Sequence, residues 1–320
     1  IARLDTGDAP NIVPAPSGEK IYLLQTKRDS LTSATDLLSV IDTRTWQEMD
    51  STTVTSRIQY TLPGPSALVL SPDGTRLVVY STDVLGDYWF EIFDAATLDR
   101  VGDVLLPRGC GGAPVVTTRA DVVVLCGITK EGNDTEGMIE TPLALHFVDV
   151  NATRVTASLL LDDPGLFLEG KPIDMLVSDD GGTIYVVSND LRVIEVDATT
   201  RQVKSDITVW QRQQPMVYRA DLDVNGDLLV GVAADLRTWE GMQLLRLGLA
   251  TPGSLAPVAD PLQSLAVERF PRFTAGPDGA LYQWERGSTY LRQLDLRDGS
   301  VLDIELGGEK TLIADIVRQN

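Results

Sequence analysis

Short runs of apolar and β-branched residues recur along the 320-residue chain, each directly after a turn rich in Gly, Asp, Asn or Ser. "SPDGTRLVVY" (71–80) is the clearest copy, and "SDDGGTIYVV" (178–187) and "AGPDGALYQW" (275–284) resemble it. Looser copies are "APSGEKIYLL" (15–24), "TTRADVVVLC" (117–126) and "DVNGDLLVGV" (223–232). A Gly in such a turn supplies the positive φ of a tight hairpin, and the residues that follow favour a strand. The pattern predicts six hairpins.

A second turn signal follows each hairpin and recurs about every 50 residues, an interval typical of repeat architectures. In five of the six copies it is an Asp whose side chain can accept backbone N–H bonds across a turn, and in three copies a Thr stands three residues later. The anchor positions are Asp42, Asp94, Asp149, Asp197, Gly248 and Asp295. We interpret these Asp residues as structural, not catalytic.

Each repeat therefore predicts four strands, joined by a tight turn, a variable loop and an Asp turn. Four antiparallel strands repeated six times predict an all-β fold, a six-bladed β-propeller that forms a single domain over residues 1–320. Helical periodicity is absent over any long window. The patterns of residues 1–11 and 310–320 both predict short strands, and we expect one terminus to complete the blade begun by the other. If the termini form a further blade, the alternative is a seven-bladed propeller.

Two long stretches carry a family resemblance. "LDTGDAPNIVPAPSGEKIYLL…LLSVIDTRTWQ" (4–47) and "YTLPGPSALVLSPDGTRLVVYSTD…FEIFDAATLDRV" (60–101) resemble the YVTN-type, surface-layer-associated β-propeller repeat. The resemblance implies the propeller fold. It leaves activity open, because such propellers include surface proteins, binding modules and enzyme subunits.

The charge of the chain narrows the choice of partners. The formal net charge is −19, and an acidic protein repels the phosphate backbone of nucleic acids. No apolar run approaches the roughly 20 residues of a membrane helix. We therefore expect neither nucleic-acid binding nor membrane insertion.

The two cysteines, Cys110 and Cys126, flank the predicted third hairpin. Their midpoint is residue 118, inside the expected turn, so the hairpin would place them opposite each other. We predict a disulfide, with free buried thiols as the alternative. A disulfide indicates an oxidising compartment, hence an extracytoplasmic protein that is secreted, periplasmic or at the cell surface.

Metal and catalytic signals are sparse. Alternating oxygens at Asp221, Asp223, Asn225 and Asp227 resemble the front of a calcium loop, but the twelfth position is Val232, and we favour an Asn-Gly hairpin turn instead. The single histidine, His146, alternates with apolar residues and predicts packing in a strand. Lactonase-type propellers hold a central calcium, for which Asn189, Asp190 and Glu285 are weak candidates. We expect no cofactor, with calcium as a possibility.

The long connections share the propeller face opposite the short turns, and binding usually resides in such loops. They are 25–37, 81–88, 128–141, 162–172, 209–217, 233–242 and 258–271. Candidate binding residues are the aromatic and arginine side chains suited to interfaces: Tyr88, Trp89, Trp210, Arg212, Arg237, Trp239 and Arg269, with Trp284 and Arg286 at a shorter loop. The alternative role for the aromatics is packing against blade edges.

The sequence thus predicts an exported, non-enzymatic binding module for a protein or small-molecule ligand. The alternative is a calcium-dependent, lactonase-type hydrolase with its site on the central axis.

Overall fold

The structure is a computed structural model, and its regular secondary structure is β-strand over all the residues it describes. Those residues are 8–30, 33–54, 67–82, 88–107, 110–119, 121–127, 143–161, 172–188, 191–208, 216–233, 243–249, 256–257, 272–276, 278–284, 290–295 and 300–305. Within these ranges no helix is long and apolar enough to cross a lipid bilayer.

The strands fall into two compact units, the first within residues 1–164 and the second within residues 165–318. The first unit contains β1 (Asp8–Pro14), β2 (Lys20–Ser30), β3 (Ser33–Asp42), β4 (Glu48–Thr53), β5 (Ala67–Leu70), β6 (Arg76–Thr82), β7 (Tyr88–Asp94), β8 (Arg100–Leu105), β9 (Cys110–Val116), β10 (Asp121–Cys126), β11 (Ala144–Asp149) and β12 (Arg154–Leu160).

The second unit contains β13 (Pro172–Val177), β14 (Thr183–Ser188), β15 (Arg192–Asp197), β16 (Gln202–Thr208), β17 (Met216–Leu222), β18 (Leu228–Ala233), β19 (Gln243–Gly248), β20 (Ala256–Pro257), β21 (Arg272–Ala275), β22 (Ala280–Trp284), β23 (Tyr290–Asp295) and β24 (Val301–Glu305).

Four consecutive strands form each sheet, and neighbouring strands in the sequence pair antiparallel throughout. In the described part of the chain this gives six four-stranded sheets, the blades of a six-bladed β-propeller, which confirms the predicted fold class. The first and last sheets, β1–β4 and β21–β24, contain no described strand from the opposite terminus. Residues 310–320, predicted to help complete a blade, lie outside the described ranges. That the blades form one domain stays a prediction.

Apolar side chains fill the space between consecutive sheets within each unit. One cluster joins the first two sheets through Tyr22, Leu24, Leu38, Leu77, Val79 and Phe93. Strands β10 and β18 are buried at every residue, whereas β12 alternates between exposed and half-buried residues. The second strand of a sheet thus lies in the core, and the fourth strand faces solvent on the outside.

Cys110 and Cys126 form the predicted disulfide. They are directly opposite each other in the β9–β10 ladder, because both lie at the end of the hairpin that is far from its turn. Both residues are buried in the apolar cluster that also contains Tyr80 and Phe90. The sequence separation of 16 makes this a closed hairpin loop.

One predicted loop is wrong. Residues 25–37 were expected to be a long irregular connection, but β2 continues to Ser30 and β3 begins at Ser33. The segment is rich in charged and hydroxyl residues, which suggested a loop. Backbone pairing needs no apolar side chains, and the ladder continues through Lys27 opposite Thr35 and Arg28 opposite Ala34.

A β-bulge recurs in the outer strand of four sheets, seven residues after the anchor Asp of each. In β4, Met49 is the extra residue, since Val40 pairs with Asp50 and Ile41 with Glu48. The equivalent extra residues in β8, β12 and β16 are Val101, Thr156 and Lys204. A bulge interrupts the regular edge that another chain could otherwise pair with.

Candidate functional site

The turns between the third and fourth strands use their Asp side chains as hydrogen-bond acceptors. Asp42 Oδ1 accepts the backbone N–H groups two and three residues on, at 2.8 and 2.9 Å. The same two bonds recur at Asp94, Asp149 and Asp197. The backbone bonds hold the pKa of Asp42, Asp94 and Asp197 below the usual value. The structural role predicted for these residues is confirmed.

The turns between the first and second strands are satisfied in the same way. Ser71 Oγ donates to Asp73 Oδ1 at 2.6 Å, and that oxygen accepts the N–H of Thr75 at 3.0 Å. Ser178 and Asp180 repeat the arrangement in the second unit. These bonds lower the pKa of both Asp side chains.

Both kinds of turn lie at the same end of each sheet, which we call the short-turn end; the opposite end, where the second strand leads to the third, is the loop end. At the short-turn end, the carboxylates of the turns are largely occupied by bonds within the turn. The same end also carries an aromatic side chain that was not a candidate, Trp46, which is 44% exposed.

The acidic segment considered for calcium is a turn at the short-turn end. Asp223 occupies the position of Ser71 and Ser178, and its Oδ1 accepts the N–H groups of Asn225 and Asp227 at 2.7 and 3.0 Å. Gly226 has a φ of 78°, the positive value that a hairpin of this kind requires. The segment thus has the geometry of the hairpin turn that the sequence favoured.

The carboxylates of this segment also bind elsewhere. Asp223 pairs with Arg246 on β19, and Asp221 Oδ2 accepts the N–H of Ala275 on β21 at 3.0 Å. Within the described ranges, no group of three or more His, Cys, Asp or Glu residues is arranged to hold a metal ion. Asn189, Asp190 and Glu285, considered for a lactonase-type calcium, lie outside those ranges.

Two of the predicted binding residues lie at the loop end of the second sheet. Tyr88 is half-buried, and its ring stacks on that of Tyr80 with a centroid distance of 5.7 Å and an interplanar angle of 12°. Trp89 is 4% exposed, which fits the packing role considered for the aromatics. Tyr88 is the accessible member of the pair.

The hydroxyl of Tyr80 is buried and has no hydrogen-bond partner among the described residues. Burial raises the pKa of Tyr80, with a smaller contribution from Tyr88. The phenol therefore stays neutral near pH 7 and keeps an O–H donor close to the loop end.

Sequence reasoning missed Arg192, which lies at the loop end of the fourth sheet. Arg192 stands five residues before the anchor Asp197, as Trp89 stands five residues before Asp94. The residue is 5% exposed. Its guanidinium forms a two-point ion pair with Asp206 on β16, while Nη1 is buried without a partner among the described residues. The sequence did contain a signal for Arg192: an Arg stands five residues before the anchor Asp, where the second repeat has the apolar Trp89.

The remaining candidates are not placed by the structure. Trp210, Arg212, Arg237, Trp239, Arg269 and Arg286 lie outside the described ranges, and Trp284 belongs to β22 with an undescribed side chain. Their binding role stays a prediction.

A partly buried carboxylate links the first strands of two sheets in the second unit. Asp174 Oδ2 on β13 accepts the N–H of Ala220 on β17 at 3.3 Å and lies 3.9 Å from Arg219 Nε. Burial raises the pKa of Asp174 to about 6, although Arg219 and the backbone bond oppose the shift and Asp221 adds to it. Sequence reasoning missed this residue because its partners belong to another sheet.

His146 lies in a strand, as predicted, and its ring bonds across to the next strand. Its Nδ1 is 2.8 Å from Ser158 Oγ on β12. Burial lowers the pKa of His146, so the ring is neutral near pH 7. The contact ties two strands of one sheet together.

Comparison with known proteins supports the fold. No family model matches the chain, and no curated protein matches it significantly. Many solved structures match, and one is the β-propeller domain of Cps50 (Swd1) from Myceliophteria thermophila, with a TM-score of 0.59 and 11% identity. The match covers 96% of this chain and 88% of that one. It shows the β-propeller fold alone, and the resemblance to surface-layer repeats stays a prediction.

Proposed function

We propose that the protein is a non-enzymatic binding module that recognises a protein or small-molecule ligand at the loop end of its blades. The long connections and the accessible Tyr88 ring at the loop end carry this proposal. At the short-turn end, the anchor carboxylates are held by their own turns. At the loop end, the Tyr80 hydroxyl and Arg192 Nη1 are buried with no partner in the described ranges, and the Tyr88 ring is accessible.

The connections that leave the loop end supply further groups suited to binding. They contain the aromatic and arginine residues Trp210, Arg212, Arg237, Trp239 and Arg269. Such side chains dominate the binding energy of many interfaces. The proposed surface therefore combines long loops with rigid strand ends that have unused hydrogen-bonding capacity.

We place this module outside the cytoplasm. The Cys110–Cys126 disulfide supports that location, because disulfides persist in oxidising compartments. The resemblance to surface-layer-associated repeats supports presentation at a cell surface or in a periplasm. The net charge of −19 argues against nucleic acid as the ligand.

The test compares the two ends of the blades. Immobilised wild-type protein is exposed to an extracytoplasmic extract and to a small-molecule library, with binding followed by mass spectrometry and thermal shift. The loop-end variant combines Tyr88→Ala, Trp210→Ala and Trp239→Ala. The matched control is Trp46→Ala, which removes an exposed aromatic side chain from the short-turn end.

We expect the affinity of the loop-end variant for a ligand to fall by at least about tenfold, as it does when interface hot-spot residues are removed. We expect Trp46→Ala to keep the wild-type affinity. Loss of binding in Trp46→Ala alone would move the site to the short-turn end and overturn the proposal. The hydrolase alternative is tested in parallel with a panel of lactones with and without calcium. Calcium-dependent turnover would replace binding as the assigned function.

A further inference from the structure

Strand β24, at the outer edge of the last sheet, is regular where four other outer strands are bulged. It pairs with β23 without a register shift, from Tyr290 opposite Glu305 to Leu294 opposite Val301. The preceding turn has the usual length, since the N–H of Asp295 donates to the carbonyl of Ser300 at 2.9 Å. The missing bulge is therefore a property of the strand and not of a longer turn.

Among the described residues, no strand pairs with β24 on the side away from β23, and its backbone offers an alternating set of groups there. In an antiparallel ladder, hydrogen-bonded and non-hydrogen-bonded pairs alternate along the strand. Because Ser300 belongs to a hydrogen-bonded pair, the N–H and C=O groups of Val301, Asp303 and Glu305 point outward. An uninterrupted edge of this kind is a template for an added strand.

Apolar side chains along this edge are open to solvent, as are those of other outer strands. Val301 and Leu302 are 49% and 57% exposed, although consecutive residues of a strand point to opposite faces. Asp303 is also exposed, and its carboxylate lies 2.7 Å from Arg292 Nε on β23. The edge thus combines apolar side chains with the exposed carboxylate of Asp303.

We propose that the β24 edge binds an extended segment of a partner protein, which adds a fifth strand to the last sheet and carries alternating basic and apolar residues. Apolar residues of the segment pack beside Leu302 and Ile304. Basic residues lie beside Asp303, and the net charge of −19 attracts such a segment. This surface is separate from the loop end, so the failure of one proposal would leave the other unaffected.

A second copy of the chain fits the edge poorly. Antiparallel pairing of two β24 strands centred on Asp303 would place two carboxylates opposite each other, which destabilises a strand pair. Each copy would also bring a net charge of −19. A basic partner avoids both costs.

The test uses the full chain and a fluorescein-labelled nine-residue peptide of alternating Lys and Val, followed by fluorescence anisotropy. Two matched peptides serve as controls: one with Glu in place of Lys, and one with Pro in place of both the central Val and the Lys beside it, so that one Pro falls at an N–H facing β24 in either strand direction. We expect saturable binding of the Lys–Val peptide alone, because Glu reverses the charge and Pro removes a strand N–H.

Two variants of Asp303 separate the backbone from the charge. Asp303→Pro removes an outward N–H without touching the β23 ladder, and we expect it to weaken binding by at least about tenfold. Asp303→Ala keeps the N–H, and we expect a loss of only about threefold. Equal binding by wild type and Asp303→Pro, or by the Pro-containing peptide, would overturn the proposal.

Amide hydrogen exchange covers the case in which Asp303→Pro fails to fold. In the wild-type chain, we expect the amides of Val301, Asp303 and Glu305 to exchange rapidly and to become protected when the Lys–Val peptide binds. Protection of these amides in the free protein would mean that another segment of the chain covers the edge. Protection that rises with protein concentration would identify a second copy. Either result would overturn the proposal.

Discussion

The carboxylate of Asp223, which has no exposed surface, forms an ion pair with the guanidinium of Arg246 two strands away in the same sheet. The carboxylate also accepts two backbone N–H groups of its own turn. A buried charge is tolerated only when it is paired and hydrogen-bonded, so the turn and the third strand depend on each other.

Removal of Arg246 should therefore destabilise the second unit. We expect Arg246→Met to lower the free energy of unfolding by about 3 kcal/mol, because the substitution leaves a buried carboxylate without its counter-ion. Urea denaturation followed by tryptophan fluorescence measures the change.

The double variant Asp223→Asn/Arg246→Met is the control for this prediction. Its Asn keeps an acceptor for the turn N–H groups and removes the charge, so the double variant should recover part of the loss. If Arg246→Met alone unfolds at the wild-type urea midpoint, the ion pair contributes nothing to stability.

The disulfide gives a second prediction. Cys110 and Cys126 close a loop with a sequence separation of 16, and a constraint of this size stabilises a protein by about 3 kcal/mol in the chain-entropy model. Thiol titration of the denatured, unreduced protein should detect no free thiol. The variant Cys110→Ser/Cys126→Ser should unfold at a lower urea concentration, and the wild type in reductant should match it. Two free thiols in the oxidised protein would contradict the bond.

The Asp turns contain a left-handed residue that is not glycine, four residues after the Asp. Trp46, Leu98, Thr153 and Arg201 all have φ between 50° and 57°. Side chains with a Cβ are strained in this region. We expect Trp46→Gly to be more stable than Trp46→Ala by about 1 kcal/mol, since both remove the indole and only Gly relieves the strain.

The same comparison can be made in the second unit with Arg201→Gly and Arg201→Ala, because Arg201 has a φ of 56°. Thermal unfolding of the four variants gives the two differences. An Ala variant at least as stable as its Gly counterpart at both positions would show that the turn relaxes without strain.

The sequence predicted features that depend on neighbouring residues. The Gly of "SPDGTR" and the anchor Asp of the first four repeats act within their own turns, so residue spacing was enough to predict the hairpins, the Asp turns and the six sheets. The Cys110–Cys126 pair followed from symmetry about one turn. All these features require only contacts within a few residues or across a single hairpin.

Features that join different strands or sheets escaped prediction. The bulges at Met49, Val101, Thr156 and Lys204 share no residue type, and their position depends on pairing with the third strand. The bond from Asp174 to the next sheet has no sequence signal, because its partner is a backbone N–H. The strand pairing of 25–30 with 33–37 was missed because the segment is polar, although its ladder uses only backbone groups.

Asp174 gives the last prediction, which concerns pH. Burial raises its pKa from 3.8 to about 6 in the folded protein, so folding favours its protonated form. The stability that this proton binding supplies is fully present below about pH 4 and is lost as the pH rises through about 6. Above that pH the charged carboxylate remains partly buried near Arg219 and Asp221.

The substitution Asp174→Asn removes the charge and keeps an acceptor for the Ala220 N–H. We expect this variant to be more stable than the wild type at pH 7.5, by at most about 3 kcal/mol for a shift of about two pKa units. Near pH 4 the two proteins should unfold at the same urea concentration, because wild-type Asp174 is then protonated. The control Asp180→Asn should show the opposite sign, since hydrogen bonds lower the pKa of Asp180 and its charged form stabilises the fold above pH 4. A constant difference between wild type and Asp174→Asn from pH 4 to 7.5 would contradict the assignment, because a neutral substitution effect does not titrate.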